Sequence, residues 1–100
     1  MVKEIKEKDF KDLIKEGKVL VDCYADWCGP CKMLGPIVDA LSEEVEDYEF
    51  YKLNVDDAEE VSTEYGIMSI PTLLIFDKGE LKEQLVGFRS KDELLDVLKK

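Results

Sequence analysis

Two cysteines three positions apart, Cys28 and Cys31, are the residues of this 100-residue chain whose spacing points most directly to chemistry. On one helical turn, side chains at i and i+3 share a face with Cβ atoms roughly 5–6 Å apart. A disulfide wants about 3.5–4.5 Å. A small adjustment of the turn closes that gap, so the pair can open and close with little rearrangement. The pair follows an apolar run, residues 19–24, and precedes a long helical pattern, which places it at a helix N-terminus. Free N–H groups and the helix dipole there favour a thiolate, the species that attacks a disulfide. Cys28, at the outer end of the turn, is the expected nucleophile. Cys31, one turn in, is the expected resolving thiol.

Other readings of the same residues are weaker. A Cys-x-x-Cys pair can be half of a zinc site, but zinc needs a second pair of ligands. Cys23 is the only other cysteine and the chain has no histidine, so no metal is expected. The lack of histidine also removes Cys–His and Ser–His–Asp catalysis. Two unrelated structural thiols remain the plain alternative. Cys23 lies five residues before Cys28 in an extended run, roughly 16 Å away at about 3.3 Å per residue. That is too far to bridge, so Cys23 reads as a small buried hydrophobe. Asp22 sits in the same apolar run with nothing local to pair it. If buried, its carboxyl is costly as an anion and its pKa is raised; if the strand lies at a sheet edge, Asp22 is an ordinary exposed residue.

The elements that position these residues follow from hydrophobic spacing. Asp9 can cap a helix carrying Phe10, Leu13 and Ile14, with Gly17 at its end. Residues 19–24 read as a strand buried on both faces. Leu34, Ile37, Val38, Leu41 and Val45 mark a long helix in which Pro36 predicts a kink. Residues 48–55 alternate as a second strand, and Val61 and Tyr65 mark a short helix ended by Gly66. Residues 71–76 form a further apolar strand that turns through Asp77-Lys78-Gly79-Glu80 into residues 81–86, an antiparallel hairpin. Ser90 and Glu93 predict a capping box on a last helix burying Leu94, Leu95 and Leu98. Residues 1–5 suggest a short edge strand. The order (β)αβαβαββα implies an α/β fold: a mixed sheet, parallel with an antiparallel hairpin, and helices on both faces.

Composition bounds the function. One hundred residues fit a single domain, residues 1–100, with a core that needs no disulfide staple. Fourteen basic and 24 acidic residues give 14 − 24 = −10, a field that repels phosphate backbones and anionic membranes. Neither nucleic acid nor membrane is therefore an expected partner. Residues 1–6 lack the apolar stretch of a signal peptide, and no run approaches the ~18 apolar residues of a membrane span. A reducing cytosol is the expected location, although a mature secreted form would look the same.

The segment Asp26-Trp27-Cys28-Gly29-Pro30-Cys31-Lys32 resembles the active-site signature of the thioredoxin family. Val21-Asp22, Lys52-Leu53-Asn54-Val55-Asp56, Ser69-Ile70-Pro71-Thr72-Leu73 and Val86-Gly87 match further thioredoxin segments in order, over nearly the whole chain. The resemblance implies a protein-disulfide reductase of thioredoxin fold, acting as a monomer with no bound cofactor, because the Cys28–Cys31 dithiol itself carries two electrons. It implies disulfide-containing proteins as substrates and a thioredoxin reductase as electron donor. Asp22 becomes the family's buried aspartate, taking the proton of Cys31, and Lys52 the lysine that modulates it. Pro71 becomes a cis-proline facing the cysteines, leaving backbone at position 70 to pair with an extended substrate. Trp27, Gly29, Pro30, Ile70, Val86, Gly87 and Phe88 form an apolar rim around Cys28, with core packing the alternative for Val86 and Phe88. Oxidases and isomerases of the same fold usually carry a histidine between the cysteines, so Gly29-Pro30 favours the reductant. A non-enzymatic role as an interaction subunit is the other alternative.

Overall fold

A computed structural model describes residues 1–99. Its strands are β1 (Lys3–Glu4), β2 (Lys18–Tyr24), β3 (Tyr48–Asn54), β4 (Thr72–Asp77) and β5 (Glu80–Val86). Its helices are α1 (Glu7–Leu13), α2 (Gly29–Glu44), α3 (Glu59–Glu64) and α4 (Lys91–Leu98), with a 3-10 turn at Val55–Asp57. The strands form one sheet in the order β1-β3-β2-β4-β5. β1 and β2 both run parallel to β3, whereas β4 is antiparallel to β2 and to β5. The mixed α/β sheet expected from the alternation of elements is therefore the one observed.

β2 occupies the centre because its sequence is apolar on both faces. Val19, Val21 and Cys23 point into one core layer with Phe10 and Ile14 beside α1 and Val61 of α3. Leu20 points into the other, with Leu34, Val38 and Leu41 of α2 and Leu94 and Leu98 of α4. The period-2 alternation of a strand assigns Asp22 and Tyr24 to the α2 side along with Leu20. β4 divides in the same way, Leu74 and Phe76 against Leu73 and Ile75. Each fully buried leucine or phenylalanine contributes about 1.5–3 kcal/mol relative to exposure.

Several boundaries differ from those read in the sequence. α1 starts at Glu7, with Lys6 at the N-cap and no side-chain cap, so Asp9 is not the capping residue. Asp9 N–H already bonds to the Lys6 carbonyl, and its charge lies in the first turn, where the dipole favours it. Pro36 lies inside α2, which continues to Glu44. The hairpin turn falls on Lys78 and Gly79, both at positive φ, and β5 begins one residue earlier than the spacing suggests. The Ser90–Glu93 capping box is present. Leu94 and Leu98 are buried, and Leu95 packs against that core partly covered.

Candidate active site

The helix that follows β2 is what gives Cys28 its environment. Cys28 is the N-cap of α2, in extended backbone, and Gly29, Pro30 and Cys31 are its first three helical residues. Pro30 suits its position, because an N–H at the second helical residue has no partner within the helix. The Cys31 N–H donates to Cys28 Sγ at 3.2 Å. A sulfur in that place receives a backbone donor and the positive end of a 16-residue helix. The two cysteines stand at disulfide distance, with Cα atoms 5.3 Å apart. Exposure does not separate them, since Cys28 is 4% and Cys31 5% exposed. The capping contact does: it falls on Cys28.

Across from the pair, Cys28 Sγ lies 3.7 Å from the Ile70 carbonyl oxygen, which a thiol there can use as an acceptor. The Ile70–Pro71 peptide bond is cis. Pro71 O accepts from Gly87 N–H at 2.8 Å, and Thr72 pairs with Val86, so the end of β5 lies beside this loop. Val86 is 52% and Phe88 45% exposed, so neither is a core residue. Gly29 and Pro30 are exposed and Ile70 half-buried. Trp27 is 71% exposed, with Nε1–H donating to Asp56 Oδ2 at 2.9 Å. That bond fixes a large apolar surface next to Cys28 instead of leaving it free to rotate.

Behind the pair is a cavity of about 180 Å³, lined by Asp22, Tyr24, Ala25, Asp26, Cys31, Lys32, Gly35 and Lys52. It offers several times the space one water requires. Asp22 is 5% exposed, and its Oδ1 has no hydrogen-bond partner among the described residues. The central place of β2 removes the edge-strand reading of this residue. Burial pushes the Asp22 carboxyl up to about 7, with the Lys52 ammonium pulling it down and Asp39 on α2 pushing it up. A carboxyl balanced near neutrality beside a buried thiol can take up and release that thiol's proton. Lys52 faces Asp22 directly in the β2–β3 register.

Cys23 is fully buried and unbridged, in the core layer opposite Asp22, and burial raises its thiol to about 12. Such a thiol is inert at neutral pH. Among the described residues, no group of three or more Cys, Asp or Glu side chains is arranged to hold a metal ion, and no helix is long and apolar enough to cross a membrane.

Sequence reading missed three residues of this region: Asp39, Tyr24 and Asp56. The spacing Cys31, Gly35, Asp39, at i, i+4 and i+8, was available to place Asp39 on the α2 face over Asp22. Alternation along β2 was available to place Tyr24 beside Asp22. No local pattern links Trp27 to Asp56, 29 residues away.

The thioredoxin family model matches residues 1–100. A thioredoxin of Rickettsia prowazekii is 43% identical, with 100% of this chain and 98% of that protein covered. One from Listeria monocytogenes is 45% identical over the same shares, and one from Mycoplasmoides gallisepticum is 49% identical over 82% of each chain. Among solved structures, a mutant thioredoxin from Halobacterium salinarum superposes with a TM-score of 0.89 at 36% identity, covering 98% of this chain and 88% of that one.

Proposed function

This chain belongs to the thioredoxin family, whose chemistry is protein-disulfide reduction through a redox-active cysteine pair, and we propose that its residues 1–100 act as one domain that performs it in two exchanges. In the first, the Cys28 thiolate attacks one sulfur of a substrate disulfide. A Cys28–substrate disulfide forms, and the other substrate sulfur leaves as a thiolate and is protonated. In the second, Asp22 accepts the proton of Cys31, the Cys31 thiolate attacks Cys28 Sγ, and the second substrate thiolate leaves. Two electrons have passed to the substrate, and the chain is left with the Cys28–Cys31 disulfide.

The observation that carries this reading is the Cys31 N–H bond to Cys28 Sγ, which stabilises the anion on Cys28 before attack. Asp22 lines the same cavity as Cys31 and is balanced near neutrality, which suits it to the second step. Lys52 tunes that balance. Trp27, Gly29, Pro30, Ile70, Pro71, Val86, Gly87 and Phe88 form the surface on which an extended substrate segment lies, with the backbone at Ile70 available for strand-like pairing. The cysteines carry the electrons, so no bound cofactor is required. The dithiol is regenerated by a thioredoxin reductase, and the protein works as a monomer in the cytoplasm.

The test is to trap the intermediate. A Cys31→Ser variant accumulates a stable disulfide between Cys28 and substrate, visible by non-reducing electrophoresis and peptide mapping. A Cys28→Ser variant accumulates none. Trapping through Cys31 instead would reverse the two roles. Equilibration with dithiothreitol should give a reduction potential near −270 mV, the value general to thioredoxins and not one worked from this structure. A value near −180 mV would move the activity towards isomerisation.

A further inference from the structure

Lys52 and Asp22 present an unresolved pairing. They are register partners on adjacent parallel strands and so share a sheet face. Both line the same cavity. A long, flexible lysine beside a buried carboxylate would ordinarily form an ion pair. Yet among the described residues Asp22 Oδ1 has no hydrogen-bond partner, and no ion pair joins the two side chains. Something else holds the ammonium.

The competing partner is an aromatic ring. Lys52 Nζ lies 5.9 Å from the ring centroid of Tyr24, within the roughly 6 Å reach of a cation–π contact. The ring is itself tethered, since Tyr24 O–H donates to Glu4 Oε2 at 2.6 Å. A hydrogen bond from a phenol to a carboxylate is charge-assisted and short. It leaves the phenol oxygen electron-rich and makes the ring face more negative, which strengthens its hold on a cation. Glu4 comes from β1, a strand of only two residues, and its register partner on β3 is Lys52. Glu4, Lys52 and Asp22 therefore form one row across three strands, with Tyr24 one step along β2.

We infer that Tyr24 is a positioning residue: its ring, tethered by Glu4, holds the Lys52 ammonium away from Asp22 and keeps the cavity between them open. The inference rests on the proposed role of Asp22 only for its kinetic consequence; the position of Lys52 and the titration of Asp22 are measurable by themselves. The ionisable groups around Asp22 are few. Glu4 comes from β1, Tyr24 from β2, Lys52 from β3, and Cys31, Lys32 and Asp39 from α2; Asp26 stands in the loop between β2 and α2. β4 presents only Leu73 as the partner of Asp22. Among the described residues, Lys52 and Lys32 are the cations that line this cavity, and Lys52 is the one in register. Released from the ring, it would close on the carboxylate. An opposite charge within ~4–6 Å lowers a carboxyl pKa by about 1–3 units.

The experiment is a pH titration of the Asp22 carboxyl by carbon-13 NMR, on the full oxidised chain. Tyr24→Leu is expected to lower the midpoint by about one unit or more. Tyr24→Phe, which keeps a ring without its tether, lowers it less. Combining Tyr24→Leu with Lys52→Met abolishes the fall. An unchanged or raised midpoint in Tyr24→Leu overturns the inference, as does a fall that persists without Lys52. The wild-type protein supplies a reading that needs no variant to fold: the Lys52 Hε resonances lie upfield of their free position, shifted by the ring. Free-lysine positions there also overturn it. Mixed-disulfide release that is insensitive to Asp22→Asn would refute the proton-acceptor role and leave these titrations untouched.

Discussion

Replacing Asp22 by asparagine should make this protein more stable at neutral pH, and the size of the gain can be worked from the site. The carboxyl has an ordinary value of 3.8 and is raised to about 7 in the fold, chiefly by burial. Between those values the folded state holds a proton that the unfolded state has released. Stability therefore falls as pH rises through this window, and levels off above about 7. At about 1.4 kcal/mol per unit, some three units amount to a cost of about 4 kcal/mol at pH 8. Asparagine does not titrate, so it escapes that cost. It brings a buried amide whose donors lack partners, a pH-independent penalty of about 1–3 kcal/mol. The expected net gain at pH 8 is about 1–3 kcal/mol, shrinking by up to ~1.4 kcal/mol per pH unit below 7 and changing sign near the acid end. Urea denaturation of both oxidised proteins at intervals from pH 4 to 9 measures the difference directly. A difference that stays constant across that range would refute the reasoning, because it would mean that Asp22 titrates alike in the folded and unfolded states.

Two further outcomes follow from the same geometry. Release of substrate from the Cys28 mixed disulfide should speed up as pH rises through about 7, where Asp22 becomes able to accept a proton, and stopped-flow rates of Asp22→Asn should lack that inflection. Ser90→Ala removes one half of the capping box on α4 and should cost about 1 kcal/mol, lowering the melting temperature by roughly 4–8 °C while leaving disulfide reduction unchanged.

What the sequence made legible is what local chemistry encodes. The apolar run of β2 announced a strand with both faces covered. The Lys78-Gly79 turn after the apolar run of residues 71–76 announced a hairpin, and Ser90 with Glu93 announced a helix start. Cys28 and Cys31 at a strand-to-helix junction announced a redox pair, because spacing and helix end suffice to argue it. The remainder depends on strand order, which no local pattern carries. Asp22 is an edge residue or a buried proton acceptor according to whether β2 lies at the rim or the centre of the sheet, and the order β1-β3-β2-β4-β5 decides that. Ile70–Pro71 is a similar case: base rates favour a trans bond, and only resemblance pointed to the cis form that the fold contains.

The contact of Glu4 with Tyr24 sharpens the point. In sequence, Glu4 is one acid among 24, on a short edge strand whose neighbour in the sheet no local pattern names. Its placement arises because β1 adds to the far side of β3, so that a row of side chains runs from the sheet edge through Lys52 to Asp22. The cysteine pair needs only one turn of helix to be chemically competent. The proton affinity of the carboxyl beneath it is set across three strands, by burial first and then by where one lysine rests. That division predicts which changes the site can absorb. Substitutions around the helix end alter the thiolate and the attack, whereas substitutions as distant as the sheet edge alter the proton acceptor and hence the release of substrate.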